Sequence, residues 1–139
     1  MEIRIFVWRD ARHKERFLSL HETEEMYQAR DVDPLVELRS LPSLMNLHLY
    51  GNLIQTTKSI MDLPNLRVLL LGGNKIQQLE GIAQLTNLIR LSLSDNRLND
   101  LTGIENLKSL EHLYLIENRI CDLRPLAKLR KVRELRLQR

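Results

Sequence analysis

A spacing of 22 residues constrains this chain more than any other feature of its sequence. Asparagines fall at Asn52, Asn74, Asn96 and Asn118, each 22 positions after the last. Leucine pairs keep the same step: Leu47/Leu49, Leu69/Leu71, Leu91/Leu93, Leu113/Leu115 and Leu135/Leu137. A second register is equally regular. The segments LPSL (41–44), LPNL (63–66), LTNL (85–88), LKSL (107–110) and LRKV (129–132) recur at the same interval. Written once, the unit is LxxLxLxxNxIxxLxxIxxLxx. A chain that repeats itself at a fixed period of roughly 20–50 residues stacks equivalent coils, each burying its apolar side on the next.

The chemistry of the unit follows from its spacings. Leucines two apart belong to a short strand with both side chains turned inward. Apolar residues at a three-residue step, as in Ile76, Leu79, Ile82 and Leu85, suit a returning turn of 3₁₀ or irregular helix on the outer side. A lone coil of this kind cannot cover its own leucines, whereas a stack gives a parallel sheet on one side and a continuous leucine core. Each asparagine stands where the chain leaves the strand. There a short amide pairs backbone groups of its own coil and the neighbouring one, which would otherwise cost about 1–3 kcal/mol each if buried unpaired. Asn52, Asn74, Asn96 and Asn118 are therefore expected to be structural.

This pattern resembles the leucine-rich repeat family, in particular its short 22-residue class, which includes the leucine-rich regulatory subunit of protein phosphatase one, an axonemal dynein light chain and bacterial internalins. The stretch LTNLIRLSLSDNRLNDLTGIENL, residues 85–107, is close to the class consensus. The resemblance covers residues 32–139 and implies an α/β solenoid. Its parallel β-sheet would line the concave face, and short 3₁₀ or irregular turns would line the convex face. It also implies a protein partner held without catalysis.

Strand alternation sorts the residues between the leucines into columns on the concave face. The central column reads His48, Leu70, Ser92, Tyr114, Arg136. The column two residues earlier is Asn46, Val68, Arg90, His112, Glu134, and the one two residues later is Tyr50, Gly72, Ser94, Ile116, Gln138. Leu70 thus faces away from the core in the run RVLLLGGNKI (67–76), beside Val68 and within reach of two tyrosines. Tyrosine combines a large apolar body with a polar tip, a combination favoured where proteins meet. Tyr50, Val68, Leu70, Tyr114 and Ile116 are expected to form an apolar centre for a partner. Asn46, His48, Arg90, His112 and Arg136 would supply polar specificity, and Gly72 with Gly73 would leave a notch for a partner group.

The ends depart from the repeat. Val32, Leu35, Leu38 and Leu41 keep the register of a returning segment, but Glu25 and Tyr27 stand where strand leucines would fall. Residues 1–31 read instead as an N-terminal cap, a strand over Glu2–Trp8 followed by polar helical sequence. The repeats then run from 32 to 139, about four complete and one partial. At the C-terminus VRELRLQR begins a fifth strand whose leucines call for cover by a partner or by self-association. Residues 119–139 hold eight Lys/Arg against Asp122 and Glu134, a balance of +6 set against −3 for the remainder. Arg124, Lys128, Arg130, Lys131, Arg133, Arg136 and Arg139 crowd this end. Phosphates would suit such a cluster, but it has no aromatic side chain on which a base would stack.

Enzyme chemistry finds no foothold. GGNK lacks the spacing of a phosphate loop. The sequence HETEE (21–25) has no second histidine at ligand spacing, so no metal is expected and no cofactor either. No nucleophile, base and orienting group can be assembled. A single cysteine, Cys121, rules out an internal disulfide framework, and nine asparagines include no glycosylation sequon. No apolar run approaches the roughly 18 residues of a membrane helix. The expectation is a non-catalytic cytoplasmic interaction module, a regulatory or scaffolding subunit. A secreted internalin-like adhesion domain and a ribonucleoprotein subunit using the basic end are the alternatives.

Overall fold

A computed structural model describes residues 3–9, 15–20, 25–26, 44–58, 60 and 63–138. The described residues form two sheets. Strands β1 (Ile3–Arg9) and β2 (Glu15–Leu20) pair antiparallel, with Phe6 opposite Phe17 and an irregularity between Phe6 and Trp8. The second sheet is parallel and has six strands in chain order: β3 (Glu25–Met26), β4 (Asn46–His48), β5 (Val68–Leu70), β6 (Arg90–Ser92), β7 (His112–Tyr114) and β8 (Glu134–Arg136). From β4 to β8 the register is the sequence period itself: Leu47 lies opposite Leu69, then Leu91, Leu113 and Leu135.

Two readings of the N-terminal part need correction. Glu15–Leu20, expected to be helical, is a strand, because the apolar β1 takes its backbone partner from the next segment of chain. A strand does precede β4, but one residue out of step. Met26, not Glu25, lies opposite Leu47, so this first step is 21 residues rather than 22. A fixed 22-residue rule puts Glu25 and Tyr27 inward and so misses the strand. Residues 27–43, with the register of Val32, Leu35, Leu38 and Leu41 and the expected boundary at 31/32, lie outside the described residues, as does Arg139.

Strands β4 to β8 are three residues long each, and in β4 to β7 the leucine within the strand and the one just after it fill one layer of the core. Leu47, Leu69, Leu91 and Leu113 are fully buried, with Leu49, Leu71, Leu93 and Leu115 beside them. The chain returns on the outer side through 3₁₀ turns, among them Ile82–Gln84, Ile104–Asn106 and Arg124–Lys128. Ile82, Ile104, Leu85 and Leu107 point from these turns into the same core. Gly103, at φ +100°, opens its turn in a conformation that L side chains avoid. A Cβ there would also stand 3.3 Å from Ile82 Cγ2 of the preceding coil.

The asparagines carry the coil-to-coil bonding. Asn74 Oδ1 accepts the Ile54 N–H at 3.0 Å, while its Nδ2 donates to Leu49 O at 2.9 Å and Leu71 O at 2.8 Å. Asn96 and Asn118 repeat this set one and two coils later, and Asn52 donates to Leu49 O at 2.9 Å. Asn52, Asn74 and Asn96 are buried and Asn118 half-buried. Every fully enclosed side-chain nitrogen and oxygen among the described residues has a partner.

Candidate functional site

The core leucines of β4–β8 fix the opposite face of the sheet, so the columns read from the sequence stand there as flat arrays one strand apart, about 4.8 Å. Asn46, His48, Val68, Leu70, His112, Tyr114 and Ile116 are half-buried on this face, and Arg90, Tyr50 and Arg136 are exposed. The five apolar members do not make one continuous patch. Val68 and Leu70 stand on β5 with Tyr50 just beyond the end of β4, while Tyr114 and Ile116 stand on and beside β7. Between them β6 presents Arg90 and Ser92, which pair in register with Val68 and Leu70 on one side and with His112 and Tyr114 on the other. Ser94, beyond the strand, accepts the Ile116 N–H through its hydroxyl at 3.2 Å.

The notch expected at Gly72 and Gly73 is filled from within. A Cβ on Gly72 would stand 2.9 Å from Tyr50 Cδ2, and one on Gly73 would meet the Gly51 backbone at 3.3 Å. The Tyr50 ring therefore lies over Gly72 while remaining 55% exposed. Gly72 is small to seat this ring. Gly73, at φ +67°, is glycine for the turn.

Across β7 and β8 the face is polar and bonded. The Glu134 carboxylate accepts from Tyr114 Oη at 2.8 Å, lies 3.2 Å from His112 Nδ1, and takes Arg136 Nε at 2.9 Å. The Arg136 guanidinium also stands 5.5 Å from the centre of the Tyr114 ring. The Tyr114 hydroxyl, followed by His112 and Arg136, holds the Glu134 carboxyl down at about 2, well below the usual carboxylate range. The same bond raises the Tyr114 hydroxyl above its ordinary value. Tyr114 is thus a fixed member of a hydrogen-bonded group rather than a free apolar contact. Glu134 is the residue the site prediction lacked. Its signal was the shared column with His112, one strand from Tyr114.

The C-terminal edge has a different character. Leu135 and Leu123 are 42% and 47% exposed, although Leu135 occupies a position that is fully buried in the four preceding strands. Arg124 pairs with Asp122 at 2.7 Å and Arg133 approaches Glu111 at 3.9 Å. Lys128, Arg130 and Lys131 are exposed and carry no ion pair among the described residues.

Two copies of the leucine-rich-repeat profile match residues 64–106 and 86–128. Together with the parallel sheet, the 22-residue register and the asparagine ladder, this decides the family. The chain is a leucine-rich-repeat protein. It is similar to a solved leucine-rich-repeat protein of Leptospira interrogans, 37% identical, with a TM-score of 0.70 over 78% of this chain and 28% of that one. It is also similar to the plant peptide hormone receptor RGFR1 in complex with RGF2, 27% identical, with a TM-score of 0.63 over 70% of this chain and 17% of the receptor. A third similar structure is TLR13 in complex with ssRNA13, 27% identical, with a TM-score of 0.70 over 79% of this chain and 18% of that one. The leucine-rich-repeat chain thus spans less than a third of each of these structures. No curated protein sequence matches it. Leucine-rich repeats are in general an interaction fold without catalysis. Among the described residues of this one, no group of three or more His, Cys, Asp or Glu is placed to hold a metal ion, and no helix is long and apolar enough to cross a membrane.

Proposed function

We propose that this chain is a non-catalytic protein-binding module, a regulatory or scaffolding subunit that works inside the cell and holds its partner on the concave face. The observation that carries this reading is the cluster of Tyr50, Val68 and Leu70 on the open side of β4 and β5. These side chains add nothing to the leucine core, and two neighbouring strands present them together. Covering a leucine-sized side chain fully is favourable by about 1.5–3 kcal/mol, and an aromatic ring with a polar tip adds hydrogen bonding at its edge. The Glu134 group supplies the complementary half: a fixed arrangement of donors and acceptors that discriminates between partners by the penalty for leaving them unpaired. The plant receptor's complex with a peptide supports the reading by likeness. The single cysteine and the absence of a glycosylation sequon are what favour an intracellular setting.

The test is affinity capture from nuclease-treated lysate of the source organism, wild type against Tyr50→Asp/Leu70→Asp. Circular dichroism first establishes that the double variant keeps the wild-type spectrum. A protein retained by wild type and lost from the variant is the expected result. The same proteins on both columns would refute the concave face as the site.

A further inference from the structure

Beside the apolar cluster of the concave face stand two arginines without a counter-charge. Arg67 directly precedes β5 and Arg90 opens β6, and both are exposed. Their backbones are joined, since the Arg67 carbonyl accepts the Arg90 N–H at 3.0 Å. Neither guanidinium has an ion pair among the described residues. Two coils on, the same two positions hold Glu111 and Glu134. Each of those carboxylates has a cation of its own, Arg133 at 3.9 Å and Arg136 at 2.7 Å. Charge is thus matched within the chain on β7 and β8 and left unmatched where β5 meets β6. Glu25 and Glu134 share the row of Arg90, but only three and two strands away.

The apolar cluster begins at this pair. Val68 follows Arg67 in the chain and lies opposite Arg90 in the sheet, and Leu70 lies opposite Ser92. Strand spacing and rise put the Cα of Leu70 roughly 8 Å from that of Arg90. In an extended peptide, residues two apart face the same way at roughly 6.6 Å, and the arginine side chain spans the difference. An aliphatic group over Leu70 and a carboxylate at Arg90 therefore fit one short stretch of chain.

We propose, on the basis that the concave face is the partner site, that its occupant is a short extended segment of a partner protein carrying an aliphatic side chain and two carboxylates. Tyr50, Val68 and Leu70 cover the aliphatic group, and each guanidinium takes one carboxylate. Arginine meets a carboxylate through two parallel N–H···O bonds, which add geometric selection to charge. Nucleic acid fits less well, because a strand charged at every residue carries phosphates past Glu25 or Glu134 and leaves the aliphatic cluster without an apolar partner.

The probe is a library of random dodecapeptides displayed on phage and selected on the immobilised full chain. A selected peptide is then labelled with fluorescein and its binding read by anisotropy. The selected sequences should carry Asp or Glu two residues from Leu, Ile or Val well above their frequency in the input. The labelled peptide should bind saturably, about tenfold more weakly to Arg67→Gln/Arg90→Gln and about fivefold more weakly to Leu70→Ser. Replacing its acids by lysine should abolish binding to wild type and restore it to Arg67→Glu/Arg90→Glu, a rescue that an unfolded variant cannot give. Apolar peptides that bind Arg67→Gln/Arg90→Gln as well as wild type overturn the acidic segment and leave the concave face standing as the partner site. Peptides lost with the arginines but kept by Leu70→Ser overturn it too, since charge alone would hold them. Failure to enrich any sequence over an unrelated immobilised protein also overturns it, and capture with Tyr50→Asp/Leu70→Asp then decides the concave face by itself. Displacement of the peptide by a uridine homopolymer of RNA that binds more tightly would make the face a nucleic-acid surface. A dimer in sedimentation equilibrium that excludes the peptide would assign it to a second copy. Either result overturns the proposal as well.

Discussion

Replacing Asn74 by leucine isolates the contribution of one rung of the asparagine ladder, because the two side chains are close in size and the site is buried. The change removes the only hydrogen-bond acceptor of the Ile54 N–H among the described residues and two short bonds to the carbonyls of Leu49 and Leu71. The losses are unequal. Leu49 O keeps its bond from Asn52, and Leu71 O keeps its bond from Asn96. The Ile54 N–H, in a residue 2% exposed, has nothing in exchange. An unpaired buried donor costs about 1–3 kcal/mol and each lost carbonyl bond about 0.5–1.5, so Asn74→Leu should destabilise by about 2–6 kcal/mol. Asn118→Leu removes the equivalent bonds from a half-buried site where water can replace part of them, so about half that cost is expected. Urea titration followed by far-ultraviolet circular dichroism measures both at constant slope. A cost below about 1 kcal/mol for Asn74→Leu, or one no larger than that of Asn118→Leu, would refute the account of the asparagines as buried backbone partners.

Two further changes probe the concave face. Gly72→Ala sets a methyl 2.9 Å from the Tyr50 ring, which is exposed and able to swing aside, so a cost of about 0.5–1.5 kcal/mol is expected. In a Tyr50→Ala background that cost should largely vanish, and a double-mutant cycle showing no coupling would deny the contact. Glu134 has its carboxyl depressed from 4.5 to about 2 in the folded chain, so its bonds stabilise the fold above pH 4.5 and are lost as pH falls toward 2. Glu134→Gln should therefore flatten the melting temperature of the chain between those limits relative to wild type. Parallel acid limbs for the two proteins would show that the group contributes nothing.

Much of the molecule was legible in advance because its core is periodic. Leu47, Leu69, Leu91 and Leu113 recur at the interval at which the chain closes one coil, and a buried strand residue has one face on which to stand. Period alone therefore placed β4 to β8, their register and the asparagine ladder. It missed the strand before β4, since a step of 21 residues at Met26 breaks the rule that found the others. The segment Glu15–Leu20 was misread for a related reason. Its pairing with β1 depends on a neighbouring strand, and a stretch of six residues does not announce its partner.

Sequence by itself determined the leucine-rich coil, the parallel sheet, the columns of its concave face and the structural part played by Asn74 and Asn96. Those properties follow from spacing along one chain, where burial repeats and local geometry leave few choices. Tertiary structure alone decided how residues on the open face use one another. It laid Tyr50 over Gly72 and gathered Tyr114, His112 and Arg136 around Glu134. The open face carries no periodic requirement, so each side chain there takes the partner that rotamers and neighbouring coils bring within reach, and that choice is made in three dimensions.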